Sequence, residues 1–336
     1  MRRGGYNEVL SRGTEGQIEI EIQFRIIIND TERLVTYILH IGHKKGFAYV
    51  AKEILRYKRG KYGSPFHFLD FSNGEGYAIS NEENFNKDED LTRDNQKLDP
   101  DILAIKGLGQ FERFKAANAF RKFIENWHIS DFHITDARQI RDAGYAEHLS
   151  PSGDDLALVA QYMMQHHPKI FEKVLKKRQK RVPSITKIEA DTTTDGRVIL
   201  KFQDGEFKDP FTARYVSDGT IKMFAYLILL NDPNPHPLLC IEEPENQLYP
   251  SLMHALLEEF RTYAHQGGQV FITTHSTDLL NGAQLEEVFW ISKKNGFSVI
   301  NKASEDKMVV ALFQEGDKMG YLWKQGYFTR ANLEGL

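Results

Sequence analysis

Two short apolar runs constrain the C-terminal third of this chain more than anything else in it. Pro237 to Ile241 is continuous and apolar, as for a strand buried on both faces, and Gln269 to Thr273 reads as a second buried strand. Between them Ser251 to His265 carries Leu252, Ala255, Leu256, Glu259 and Phe260 at helical spacing. Strand, helix and strand on short connections make an α/β fold with a parallel sheet. Arg197 to Phe202 adds a strand, Thr220 to Leu230 an apolar helix, and Val288 to Ser292 with Phe297 to Asn301 a hairpin around Asn295-Gly296.

The N-terminal part has a different period. Ile18, Ile20, Ile22, Phe24 and Ile26 alternate with Glu19, Glu21, Gln23 and Arg25, which predicts a strand with one buried face. Asn29-Asp30-Thr31 is turn chemistry, and Leu34 to Ile41 and Phe47 to Leu55 read as the next strands of an antiparallel meander. Residues 71–101 are polar, with acidic residues at Glu82-Glu83 and Asp88-Glu89-Asp90, and predict a solvated loop. Helices are expected over Phe111 to Trp127, Asp154 to His166 and Pro168 to Arg181. No heptad pattern persists, so a long coiled-coil arm is not expected.

Composition narrows the class. The chain has 336 residues, enough for one large α/β domain or two lobes. Lys and Arg number 43 against 47 Asp and Glu, a net charge of −4, so there is no global signal for nucleic acid or membrane. The run Lys176 to Arg181 is basic; a solvated helix end facing the C-terminal dipole is favoured over a phosphate-contacting patch for DNA. One cysteine, Cys240, excludes an intramolecular disulfide framework and a Cys-rich metal site and fits a reducing compartment. No run of about 18 apolar residues exists, and Arg2-Arg3 has no apolar segment behind it, so a cytoplasmic protein is expected. His40 with His43 and His128 with His133 have loose metal-like spacing but no third ligand in context, and read as structural histidines.

Four pieces of the last third carry chemistry, in this order. Ser217-Asp218-Gly219-Thr220 precedes an apolar helix and offers a hydroxyl and backbone N–H groups at a helix N-terminus, an anion site. Leu238 to Glu245 is an apolar strand ending in Glu242-Glu243-Pro244-Glu245. Ligands of open parallel sheets bind at that strand end. Glu242 and Glu243 are expected on opposite faces, one toward Mg2+ and one toward a water. Asn246-Gln247-Leu248-Tyr249-Pro250 comes next. Phe271 to Ser276 presents His275 at the end of the second buried strand, where it can bond a phosphate oxygen or an attacking water.

This order and spacing resembles the ATPase heads of the ABC/SMC/RecF class, and more narrowly the AAA-type ATP-binding proteins of that class. The resemblance implies that Ser217, Asp218 and Gly219 match the signature motif and that Glu242 stands where most relatives have the Walker B Asp. It further implies that Glu243 is the catalytic Glu, that Asn246 to Tyr249 form the D-loop and that His275 is the switch His. Ser152 to Leu156, Phe171 to Leu175 and the tail from Ala303 to Trp323 are also similar to that family. The fold implied by the resemblance is α/β, an ABC-type P-loop NTPase head. It has an antiparallel β-subdomain at 1–60, a mainly helical inter-lobe region at 61–196 and a sheet lobe at 197–336. ATP and Mg2+ are the implied cofactors, and ATP sandwiched in a homodimer, or in a pair with a complete head, is the implied assembly.

The chain departs from the family at the P-loop. No G-x-x-x-x-G-K-[ST] occurs: Gly42 to Gly46 lacks the spacing, and Gly60-Lys61 is followed by Tyr62. In the family the P-loop precedes the segment that Arg3 to Tyr6 and Ile18 to Ile28 resemble. Three accounts fit: a start placed too late, a P-loop half on a separate polypeptide, or a non-hydrolysing copy. The retained Glu243 and His275 favour the first. The competing class is a P-loop-less regulatory or structural partner that supplies a signature motif in trans.

Overall fold

The alternation at Gln17 to Ile28 is realised as the first strand of a six-stranded antiparallel sheet. The structure is a computed structural model and describes residues 5–11, 13–60, 62–82, 91–179 and 185–328. Arg2 to Gly4, the acidic residues Glu83 and Asp88 to Asp90, and the end of the basic run at Lys180 and Arg181 lie outside the described residues. The chain divides into two compact units, Met1–Asn126 and Trp127–Leu336.

The first unit begins with a short helix, α1 (Tyr6–Val9), followed by β1 (Ile18–Ile28), β2 (Thr31–Lys44), β3 (Phe47–Tyr57), β4 (Phe66–Ser72), β5 (Glu75–Ile79) and β6 (Arg93–Lys97). These strands pair in chain order. Tight turns set the register: Asn29-Asp30, Lys45-Gly46 and Asn73-Gly74 all have positive φ at both positions, the two-residue geometry that matches strand twist. The polar stretch 71–101 is thus not one solvated loop, since β5 and β6 continue the sheet. Helices α2 (Ala104–Leu108) and α3 (Lys115–Glu125) close one face. Phe24 of β1 stacks on Phe120 of α3 at 5.0 Å, and Tyr57 on Phe68 at 3.9 Å.

Neither α2 nor α3 has an N-cap side chain of its own, since Leu103 and Phe114 occupy those positions. Buried carboxylates from elsewhere in the unit take that role. Glu53 accepts the N–H groups of Ala104 at 2.5 Å and Ile105 at 3.0 Å, and the Tyr37 hydroxyl at 2.9 Å. Glu82 accepts the Ala116 N–H at 2.8 Å and the Tyr57 hydroxyl at 3.4 Å. Burial pushes the Glu82 carboxyl up to about 7, against the lowering effect of those bonds.

The second unit contains β7 (His128–Ser130), α4 (Ile134–Ala137), β8 (Arg141–Asp142), α5 (Leu156–His166), α6 (Pro168–Gln179), β9 (Ile185–Thr192), β10 (Arg197–Asp204) and β11 (Phe211–Thr212). Then come α7 (Asp218–Leu230), β12 (Leu238–Glu242), α8 (Met253–His265), β13 (Gln269–Thr273), α9 (Thr277–Asn281), β14 (Phe289–Lys294), β15 (Phe297–Lys302), α10 (Lys307–Gln314) and α11 (Met319–Lys324). A parallel sheet runs β13-β12-β7; β8, β9 and β11 flank β10 in an antiparallel one. The hairpin expected around Asn295-Gly296 forms as β14–β15. Among the described residues no helix is long and apolar enough to cross a membrane.

One face of the parallel sheet is packed and the other is open. Leu239 and Ile241 are buried in the main core with Met223 and Leu227 of α7 and Leu256 and Phe260 of α8. Every residue of α7 from Gly219 to Leu230 is buried, Lys222 and Thr220 among otherwise mainly apolar neighbours. On the opposite face Ile129, Cys240 and Phe271 form one row across the three strands. Ile129 is 58% and Phe271 54% exposed. Parallel sheets ordinarily carry cover on both faces.

The basic run at the end of α6 turns largely inward. Arg178 is 1% exposed and donates to the Ile185 carbonyl, and Lys177 bonds Glu259 at 2.5 Å and Asn231 at 3.3 Å. Lys176 pairs with Glu172 one turn back. Two of the described cations of the DNA-patch reading are therefore committed to the fold. Pairing within the protein, which neither reading foresaw, is the correction.

Candidate active site

The C-terminal edge of the parallel sheet gathers the end of each strand: Asp131 after β7, Glu242 and Glu243 at β12, His275 after β13. Register sets Glu242 beside Thr273. The chain then breaks from the ladder. Glu243 has φ 42, a left-handed conformation uncommon outside glycine, and its N–H donates to the Thr273 carbonyl at 2.9 Å. Pro244 comes next and cannot extend pairing. The simple strand alternation expected for the two glutamates stops at Glu242, the last residue of β12, and a backbone turn aims Glu243.

Glu243 and His275 meet: Oε1 of one lies 3.5 Å from Nε2 of the other. The His275 side chain is 80% exposed, so this is an open site. Burial and the neighbouring Glu245 carboxylate raise the Glu243 pKa, while His275 and the Lys222 ammonium pull it down. Glu245 fixes the histidine's strand end. Its Oε1 accepts the Thr274 hydroxyl at 2.6 Å and the His275 N–H at 2.9 Å. Its Oε2 is buried with no hydrogen-bond partner. Ser276 then caps α9 by accepting the Leu279 N–H at 3.2 Å.

Lys222 braces the turn from behind. It is 2% exposed, and its Nζ donates to the carbonyls of Asn246 at 2.8 Å and Glu243 at 3.5 Å. Burial lowers its pKa, and Glu245, Asp131 and Glu243 oppose that. The Asn246 side chain itself is exposed.

The Ser217–Thr220 segment is ordered separately. Ser217 is the N-cap of α7, its Oγ 2.8 Å from the Thr220 hydroxyl and accepting the Thr220 N–H at 3.4 Å. Arg138 ties down this loop through the Val216 and Arg214 carbonyls and the Asp218 carboxylate. Gly219 packs on the expected D-loop: a Cβ there would stand 3.2 Å from the Gln247 carbonyl and 3.4 Å from the Tyr249 ring. Ser217 and Asp218 are exposed, and the bonds described for them run to Thr220 and Arg138, away from the Glu243–His275 pair.

Of the residues expected from sequence, the structure brings together Glu243 and His275, with Glu242 at the same strand end and Asn246 on the bracing turn. Sequence reasoning missed Glu245, Lys222 and Arg138. Glu245 was readable as the third carboxylate of Glu-Glu-Pro-Glu, whereas Lys222 sits inside an apolar helix and Arg138 in a segment without a motif.

No curated protein matches the chain. Among solved structures it is similar to an Smc head bound to the C-winged helix domain of ScpA, at 12% identity and TM-score 0.44, covering 84% of this chain and 78% of that one. It is also similar to the SMC head domain from Thermotoga maritima, at 10% identity and TM-score 0.33, covering 80% and 74%. The family model described as "AAA domain, putative AbiEii toxin, Type IV TA system" matches residues 15–281, which takes in parts of both units and all four motifs. The chain belongs to this AAA-domain family.

Proposed function

We propose that this protein is an ABC/SMC/RecF-like head that binds ATP and hydrolyses it to ADP and phosphate as a nucleotide-sandwich dimer. The observation that carries the reading is the Glu243–His275 pair, 3.5 Å apart at the C-terminal edge of a parallel sheet. Glu243 polarises the attacking water, and His275 contacts the γ-phosphate. Glu242 is an exposed carboxylate at the strand end, a hard oxygen donor suited to Mg2+, and the partnerless Glu245 Oε2 nearby suits an edge built to meet a cation or water. Bound Mg2+ supplies charge neutralisation on the phosphates. Ser217, Asp218 and Gly219 face a phosphate held by the opposite subunit. The exposure of Ser217 and Asp218 supports this, as does the absence of a described bond from them to the Glu243–His275 pair. We assign the activity to the cytoplasm, in DNA maintenance or defence.

Such a site needs a phosphate cradle. β13 is the edge strand of its sheet among the described residues, and the Ile129–Cys240–Phe271 face is open. That edge and face are where a strand–loop–helix cradle would dock. The same observation favours the second reading: a head that does not hydrolyse ATP alone and lends its signature motif to a complete partner.

Glu243→Gln separates the two. In an active head, steady-state phosphate release falls by about 10²–10⁴-fold while ATP-dependent dimerisation, read by light scattering, persists. In the second reading the substitution leaves the complete partner's turnover unchanged. A monomer that hydrolyses ATP at full rate sinks the sandwich.

A further inference from the structure

The strands that end at the candidate ATPase edge begin among histidines. His128 opens β7, His236 precedes β12 by two residues, and His148 comes from the segment after β8. We propose that His148, Asp232 and His236 bind a divalent transition metal, with Zn2+ the best match to the donor set. One nitrogen from each histidine and one Asp232 oxygen all lie within 4.8 Å of one another. Donors at about 2.0–2.2 Å from a tetrahedral zinc stand roughly 3.3–3.6 Å apart. Asp232 Oδ2 and His148 Nδ1 are hydrogen-bonded at 2.8 Å and would open by about half an ångström on a shared ion. Closing the rest takes about an ångström, which rotation of the 40% exposed His148 side chain supplies.

The other two ligands are held in advance. The Asp232 side chain is 3% exposed, and its Oδ1 accepts the Asn234 N–H at 2.8 Å, which leaves Oδ2 directed at His148. An outer hydrogen bond of this kind orients a ligating carboxylate. His236 is fixed through its backbone, whose carbonyl accepts the Tyr263 hydroxyl at 2.5 Å, and its ring stacks on His128 at 4.8 Å. A plain His148–Asp232 ion pair needs no second imidazole, yet the His236 ring sits 5.4 Å from that of His148. Two nitrogens and one oxygen favour Zn2+ over Mg2+ or Ca2+, which prefer all-oxygen sites. The ion would join the His148 segment to the turn between α7 and β12. The site is independent of nucleotide chemistry.

The test is calorimetric titration of Zn2+ into the untagged full chain with Mg2+ in excess. The expected result is one site per chain, weakened at least tenfold by His148→Ala and by Asp232→Asn, and unchanged by Glu243→Gln. Co2+ in place of Zn2+ should give a visible absorption band that His148→Ala abolishes. His148→Ala removes the most exposed side chain of the three, so it stays informative if an Asp232 or His236 variant fails to fold. No saturable zinc binding, or binding that His148→Ala leaves intact, overturns the proposal. Loss of zinc binding with ATP turnover retained leaves the ATPase reading standing.

Discussion

Both units place glutamates at critical points, and they use them in opposite ways. Glu53 and Glu82 of the first unit are sealed in the core, each accepting a tyrosine hydroxyl and one or two backbone N–H groups at a helix start. Glu243 and Glu245 stand at an open strand end, one on a strained turn beside an exposed imidazole, the other with one oxygen left over. A carboxylate whose acceptor capacity is used by its own fold is a cap. One held in place but only partly bonded keeps capacity for a ligand.

The contrast breaks most visibly at Glu243. Glu243→Gln should remove about 10²–10⁴-fold of turnover while shifting the unfolding free energy by no more than about 0.5 kcal/mol. Glu53→Ala should do the reverse. It orphans two N–H groups and a buried hydroxyl, so urea denaturation should show a loss of about 3 kcal/mol with no direct effect on the catalytic step.

Glu82 sharpens the contrast through pH. Its folded pKa, about 7, lies above the ordinary glutamate value of 4.5. Its contribution to stability is therefore full below about 4.5 and falls away as pH rises toward about 7, by a few kcal/mol at most. Glu82→Gln should flatten that part of the stability–pH curve, and parallel slopes in the two proteins would contradict the assignment. Gly219→Ala has a smaller effect, about 1 kcal/mol, because the Gln247 carbonyl must give by a few tenths of an ångström. ATP-dependent dimerisation should suffer more than stability. Lys176→Glu is the smallest: the exposed pair with Glu172 is worth under about 0.5 kcal/mol. A large loss of DNA affinity in that variant would revive the basic-patch reading.

The residues explain what was legible in the sequence. The β12–α8–β13 unit and the β14–β15 hairpin could be read because period and turn chemistry are local signals. So could the placing of Glu243 and His275 at one sheet edge, since each follows a short apolar strand. The β5–β6 pairing was hidden because the β6 residues are polar on both faces and supply no alternation. Lys222 was hidden because burial of an ammonium shows only when the carbonyls it braces are in view. Asp232 and His236 sit four apart, but His148 joins them only through the tertiary fold.

The open row on the parallel sheet has a practical consequence. Cys240, in the middle of that row, is the chain's one cysteine, and it is free and partly accessible. A single maleimide dye therefore labels one known position without mutagenesis. Burial raises the thiol pKa, so conjugation will be slow at neutral pH and quicken in mild alkali. Any polypeptide that settles over the row should then protect the thiol from labelling and shift the emission of dye already attached. The molecule carries its own optical gauge of whether that surface is covered.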